Sequence, residues 1–296
     1  MAVYNTDNIS YDNGMGLTET SLLVLKDGTV VDSNNPLPVT IQDGGGSITV
    51  DGNVTATITG TPTFTTEPFN LRVAKGNVTG HGHVHRSGFN QDIDKSTDPE
   101  SIWSAGGLYP WTALNTARQL VCASSSGLDS GPLTIVGLNS SYDVISETIT
   151  MNGTSNVTTT NYFLRINEAY YGGIGINSGT ITMRANSVIV SQIEPQFCNE
   201  LSMHYTVPNN KTAYLNRLTL SLQQGKLGAR IVIYVREFGG NFRVHHVYEI
   251  TEGSSYFEWP IPERLPEKTD IDIVVYETYE NDTKISGCID YLLVDD

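Results

Sequence analysis

Through most of the chain, apolar and polar residues alternate in short runs separated by turn residues. Thr134-Ile135-Val136-Gly137-Leu138 leads into an Asn139-Ser140-Ser141 turn. Residues 144–151 follow and are closed by Asn152-Gly153. Residues 163–170, 179–184 and 187–191 repeat the pattern. A period of two with Asx-Gly turns predicts antiparallel strands packed as a sandwich. After residue 195 the alternation is clearer, over 201–207, 213–223, 229–238, 242–249, 255–259, 270–278 and 288–294. Strands this dense suit a jelly roll or a similar sandwich. Pro260, Pro262 and Pro266 predict an extended connection that is not a central strand. Helical periodicity is missing. Residues 111–120 would wind a turn or two at most, because Thr and Asn weaken them as a helix.

The pattern divides the chain into three parts. Residues 1–75 have short Thr-rich strands and repeated turn signals, among them Asp27-Gly28, Asn34-Asn35-Pro36 and Asp43-Gly44-Gly45-Gly46. Such strands bury little area alone, so this part reads as an extended attachment arm or stalk. Residues 22–31 read as a hairpin, 35–39 as extended chain and 43–47 as a flexible hinge. The short Thr/Val strands of 44–66 would associate with identical chains about a threefold axis, which makes a homotrimer the expected assembly. Residues 76–195 form a middle sandwich that opens with a loop-rich stretch, 76–110. Residues 196–296 form a jelly-roll-like module. The predicted fold class is therefore all-β: an extended N-terminal arm followed by two antiparallel β-sandwich or jelly-roll-like modules.

Charge narrows the partners. Against 17 Lys and Arg stand 32 Asp and Glu, a formal net charge of −15. A field of that sign repels phosphate backbones and anionic bilayers, so neither nucleic acid nor membrane is an expected partner. No run approaches the roughly 20 apolar residues that span a bilayer. Met1-Ala2-Val3-Tyr4-Asn5 has neither the basic nor the apolar region of a secretion signal. Cys122, Cys198 and Cys288 are widely spaced and form no zinc, redox or disulfide motif; they read as half-buried thiols.

Several residue runs, in order, resemble tailed-bacteriophage virion structural proteins of the kind frequent in phages of marine bacteria and cyanobacteria. They begin with Gly76-Asn-Val-Thr-Gly80, Val84-His85-Arg86-Ser87-Gly88-Phe89-Asn90-Gln91-Asp92-Ile93-Asp94, Ile102-Trp103 and Gly106-Gly107-Leu108-Tyr109-Pro110. They continue through Gly137-Leu138-Asn139, Glu147-Thr148-Ile149-Thr150-Met151-Asn152-Gly153 and Phe163-Leu164-Arg165-Ile166-Asn167. Tyr205-Thr206-Val207-Pro208, Lys211-Thr212-Ala213-Tyr214-Leu215 and Phe238-Gly239-Gly240-Asn241-Phe242-Arg243-Val244 complete the series, which spans roughly 76–250. Ser87-Gly88-Phe89 departs from the family's usual Phe-Gly-Arg type sequence, so no residue role is carried over there. The N-terminal arm is similar in style to those of head-fibre and decoration proteins. The resemblance implies an oligomeric β-rich component of the virion, assembled in the host cytoplasm, with no catalytic activity and no cofactor. Its partner would be the major capsid protein or another virion protein. A position on the capsid is the first expectation, and a collar, tail or baseplate fibre that binds a host surface glycan is the alternative.

Three groups of residues are candidates for chemistry. His81, His83 and His85 fall at i, i+2 and i+4, which in extended chain puts them on one face about 6.5 to 7 Å apart. Two from each of three chains would offer six nitrogens to an octahedral metal; the competing reading is surface or interface histidines. Asp92 and Asp94, with Asp98 and Glu100, gather carboxylates in a predicted loop. They lack calcium-loop spacing and read as turn caps, with a cation or a depolymerase acid–base pair as alternatives. Trp103, Tyr109 and Trp111 beside Gly106-Gly107, and Trp259 further on, would stack sugars or anchor a subunit if exposed. Otherwise they form one end of a sandwich core. No G-x-S-x-G elbow occurs, and the Gly-rich run 172–179 reads as a hairpin loop rather than a phosphate cradle.

Overall fold

The structure is a computed structural model and describes residues 8–11, 18–21, 67–95, 99–173, 175–223 and 225–296. The chain divides into two compact units, Met1–Phe64 and Thr65–Asp296. In the first, β1 (Asn8–Tyr11) and β2 (Thr18–Ser21) pair antiparallel, with Asn8 opposite Ser21. The hairpin of 22–31, the hinge of 43–47 and the strands of 44–66 lie outside the described residues.

The second unit begins with a short helix, α1 (Phe69–Ala74), and is otherwise β among the described residues. Its strands are β3 (His81–Ile93), β4 (Glu100–Ser101), β5 (Val121–Ser124), β6 (Pro132–Leu138), β7 (Val144–Thr150), β8 (Val157–Thr158), β9 (Arg165–Tyr171), β10 (Ile181–Ala185) and β11 (Val188–Ile193). They continue as β12 (Tyr205–Thr206), β13 (Lys211–Leu222), β14 (Ala229–Arg236), β15 (Arg243–Ile250), β16 (Gly253–Leu265), β17 (Asp270–Thr278) and β18 (Thr283–Asp295). Trp111–Leu114 makes only a single 3₁₀ turn.

Two sheets of four strand positions each define a jelly roll. One sheet runs β16–β13–β18–β3 and the other β12–β17–β14–β15, with β4 also on β17. Both pack on a shared core that includes Leu218, Leu220, Ile231, Ile233, Ile273 and Ile289. Burying each such side chain contributes about 1.5–3 kcal/mol.

The edge strand beside β17 is interrupted. Glu100 and Ser101 of β4 lie opposite Val275 and Val274, Ile102 donates its N–H to the Ile273 carbonyl, and Tyr205 and Thr206 of β12 lie opposite Ile271 and Asp270. One strand position is thus filled by two pieces, and residues 102–204 are inserted between them. The chain leaves and returns as a pair: Trp103 bridges Ser202, and Met203 N–H donates to the Ile102 carbonyl at 3.0 Å. The insert is a second sandwich, with sheets β11–β10–β5–β8 and β7–β6–β9 closing on Leu133, Ile135, Phe163, Ile166, Ile181 and Met183.

This differs from the linear partition at 76–195 and 196–296. The expected loop at 76–110 contains the 13-residue strand β3, which pairs along β18 from His81–Val294 to Ile93–Thr283. The jelly roll therefore takes its first strands from before the insert. The Pro-marked connection also differs: residues 259–262 fall within β16, an edge strand, where a missing N–H is tolerated. The run 172–179 joins β9 and β10, which belong to different sheets, so it is not a hairpin loop.

Gly88 shows why β3 carries glycine. A Cβ there would lie 2.5 Å from Met203 Cγ and 2.6 Å from the Ile102 carbonyl oxygen, both in the neck, the paired segments Ile102-Trp103 and Ser202-Met203 by which the chain enters and leaves the insert. Gly82, on the same strand, would meet only Leu293 Cβ at 4.0 Å. Gly88→Ala should cost about 1–3 kcal/mol by overpacking, whereas Gly82→Ala should be near neutral. Urea denaturation of both variants tests this, and equal midpoints would contradict the close approach.

Candidate functional site at the junction of the two sandwiches

The neck emerges into an aromatic cluster. Trp103, Tyr109 and Trp111 are buried and meet edge to face, with ring centroids 5.2 Å and 4.7 Å apart. Trp103 Nε1 donates to the Gly107 carbonyl at 2.9 Å, which folds the Gly106-Gly107 turn back over the indole. Ile189 of the insert and Phe242 before β15 pack against the cluster, so it joins the two sandwiches. The three rings are thus the end of a core and not an exposed stacking platform.

Polar groups beneath the rings complete the junction. His204 stacks on Tyr109 at 3.7 Å between centroids. Its Nε2 meets the Ile166 carbonyl at 3.2 Å and its Nδ1 meets the Ser202 hydroxyl, an arrangement in which Nε2–H donates and Nδ1 accepts. Burial, then the nearby Arg86 charge, lowers the His204 pKa to about 3, so the ring stays neutral. This buried Ser–His contact orders the neck; its imidazole has a backbone carbonyl, rather than a carboxylate, as its second partner.

Asp272 sits below Trp111. It accepts from Trp111 Nε1 at 3.0 Å and from the Ser101 hydroxyl at 2.9 Å. Burial raises its pKa to about 6, and these two hydrogen bonds act against that rise. Above it opens a cleft of about 220 Å³ walled by Leu108, Trp111, Tyr234, Phe242 and Val274. The cleft presents apolar and aromatic surface, with the Asp272 carboxyl buried beneath it, a composition suited to packing against a ring.

On the other side of Trp111 an ion-paired seam crosses the junction. Arg165 of β9 grips Asp270 of β17 through two parallel bonds, Nε to Oδ1 at 2.8 Å and Nη2 to Oδ2 at 3.0 Å. Arg165 Nη1 also donates to the Leu114 and Leu164 carbonyls. Asp270 accepts further from Arg236 and from the Thr206 hydroxyl. Asn167 and Thr206 exchange two hydrogen bonds beside it. A fork of this kind, with its remaining valences filled, is the geometry in which a buried charge pair is tolerated.

The histidine series divides. His83 Nε2 and His85 Nδ1 both reach Asp290 Oδ1, at 3.1 Å and 2.6 Å, from one face of β3. His81 stands apart, on the Thr79 carbonyl and edge-on to Phe69. Asp290 also accepts from Arg217 Nε at 2.7 Å. Burial disfavours the Asp290 charge, but hydrogen bonds from His85 and Arg217 outweigh it and hold the pKa below the usual carboxylate range. The carboxylate between the histidines is therefore already matched by a guanidinium.

Asp92 and Asp94 meet Asp282 of the β17–β18 turn, and Asp94 Oδ1 accepts from Asp282 N–H at 2.9 Å. Glu100 is buried and accepts from the Gly107 N–H and from Asn90 Nδ2, holding the aromatic loop. Asp98 lies outside the described residues. Trp259 is half-buried against the jelly-roll core. Cys122 is buried in the insert, which pushes its thiol up to about 12 and leaves it protonated.

Sequence reasoning missed His204, Arg165, Asp270 and Asp272. Only one signal was available for the two aspartates: they interrupt an otherwise apolar strand at 270–278. Charges placed inside a buried strand call for partners, although the sequence does not say which.

No protein-family model matches the chain, and no curated protein matches it. Among solved structures, one described as infectious bursal disease virus Gt strain is similar over 77% of this chain and 78% of its own, at 10% identity and a TM-score of 0.22. Another, described as infectious bursal disease virus Gx strain, is similar over 73% and 81%, at 9% identity and a TM-score of 0.14. Scores this low carry no argument about fold or function.

Proposed function

We propose that this chain is a non-enzymatic structural component of a viral particle, of the tailed-phage kind, most at home on the capsid surface as a decoration or head-fibre protein. The observation that supports this is where the virion-like runs fall. They map onto β3, the neck, the β7–β6–β9 sheet of the insert and strands β12, β13 and β15 with the turn before it, so both sandwiches carry them. Jelly rolls also recur in viral capsid and lectin domains, although fold alone does not assign function. In this reading the N-terminal arm binds the major capsid protein or another virion protein, and the two sandwiches project. Copies act together, as a trimer, through many weak contacts whose avidity exceeds any one of them.

Cryo-EM of the purified source particle, with the chain located in density, tests the reading. Density on the capsid lattice is the expected result. Absence of the chain from purified particles would overturn it. A mass measurement at micromolar concentration should give three chains, and a monomer would remove the trimer.

The cleft over Asp272 favours a second reading, a collar, tail or baseplate fibre that binds a host glycan. Leu108→Ala should then weaken binding on a glycan array while the melting temperature changes little, because Leu108 lines the cleft and is largely exposed. Silence of the parent protein across host polysaccharides would end that reading.

A further inference from the structure

The open edge of the jelly roll carries a group of residues that none of the sequence motifs marked. His245 and His246 are consecutive on β15, so regular strand geometry would send their side chains to opposite faces. The ladder prevents this. Ile233 lies opposite His246 and Tyr234 opposite Val244, so His245 is the extra residue of a β-bulge. Bulges re-aim side chains, and here both imidazoles turn toward Glu263 on β16. His246 Nε2 lies 2.6 Å from Glu263 Oε2, and His245 Nδ1 contacts Oε1 of the same carboxylate.

A second irregularity brings Glu263 to meet them. Leu215 pairs with Glu263 and Arg217 with Glu258, so the single residue Asn216 spans residues 259–262. β15 is the edge of one sheet and β16 the edge of the other. The three side chains therefore bridge the gap between the sheets. They are half-buried beneath an aromatic wall: the His246 ring stacks on Tyr248 at 5.9 Å and tilts against Trp259 at 5.4 Å.

We propose that His245, His246 and Glu263 form a site for one divalent transition-metal ion, Zn²⁺ foremost, which straps β15 to β16. The donor set is two imidazoles and a carboxylate, a combination that suits zinc and leaves one position for water. One ligand atom from each residue already lies within 4.8 Å of the others. With metal–ligand bonds of about 2.0 Å, tetrahedral ligands sit about 3.3 Å apart, so small side-chain shifts admit the ion. Neutral imidazoles are required, so affinity falls as the histidines protonate.

The test uses the full chain, untagged and stripped with EDTA. Titration with Zn²⁺ should show one ion per chain and raise the melting temperature by at least about 4 °C at saturation. Co²⁺ should give the intense visible bands of a tetrahedral site, bleached on adding Zn²⁺. X-ray absorption on the zinc-loaded parent should show two imidazoles with oxygen donors. Glu263→Gln should weaken binding at least tenfold, and His245→Ala with His246→Ala should abolish it. His83→Gln with His85→Gln should leave it unchanged. No stoichiometric binding by the parent would overturn the proposal. So would binding retained without His245 and His246, or binding lost with His83 and His85. If the His245/His246 variant does not fold, Glu263→Gln and the absorption spectrum of the parent still decide.

Discussion

Asp270→Ala should destabilise the second unit by about 3–5 kcal/mol, the cost of stranding a buried charge. Both partners are buried, with 7% of the Arg165 side chain and 3% of the Asp270 side chain exposed. Without the carboxylate, the Arg165 guanidinium keeps the Leu114 and Leu164 carbonyls and the faces of Trp111 and Tyr142, none of which carries a balancing charge. Arg165→Met should cost less, because Asp270 still accepts from Arg236 and Thr206. The double variant should cost less than the sum of the two, with a coupling of about 0.5–3 kcal/mol. Because the pair ties β9 to β17, Asp270→Ala should also split one urea transition into two, as the insert and the jelly roll lose their common seam. A loss under about 1 kcal/mol with a single unchanged transition would show that the seam carries little.

The second large effect is a pair of opposed pH slopes. His204 has a folded pKa near 3 against an ordinary 6.5, so between those values the unfolded chain holds the extra proton. Its contribution is complete above pH 6.5 and is lost as pH falls. Asp272 has a folded pKa near 6 against an ordinary 3.8, so between those values the folded chain holds the extra proton. Its contribution is present below pH 3.8 and is lost as pH rises through 6. From about pH 4 to 6 the two nearly cancel in the parent, each being worth about 1.4 kcal/mol per pH unit. Single variants separate them. Relative to the parent, His204→Gln should lose stability as pH rises from 4 to 6, and Asp272→Asn should gain it. Only differences from the parent are read, so other titrating groups drop out. Urea midpoints at a series of pH values measure both slopes. Two flat lines, or two of the same sign, would contradict the buried placement of these groups.

The class of this fold was legible from alternation alone. Strands at 134–138, 144–151, 213–223, 229–238 and 270–278 match β6, β7, β13, β14 and β17 to within a few residues. A period of two is a local property, fixed by which side chains face water and which the core. The weak helix at 111–120 shrank to one 3₁₀ turn for an equally local reason, its Thr and Asn content.

Connectivity was decided elsewhere. β3 meets β18, and β4 meets β17, across most of the chain, and nothing within a run of ten residues records its partner. The loop-like composition of 76–110 concealed a strand because Gly88 serves a close approach by Met203 rather than a turn. The sites followed the same division. Spacing put His81, His83 and His85 on one face; His83 and His85 meet at Asp290, whereas His81 turns to the Thr79 carbonyl. Spacing did not supply Asp290 and Arg217, which come from neighbouring strands. His245 and His246 look like neighbours pointing apart until a bulge, visible only once β14 is beside them, turns both toward Glu263. Sequence by itself determined most of the strands outside 76–110 and their alternation, because side-chain chemistry and a two-residue repeat suffice for that. Tertiary structure decided the insertion, the buried charge seam and the histidine–glutamate cluster. Each depends on which distant strand lies alongside, and that choice is made by the summed packing of both sheets.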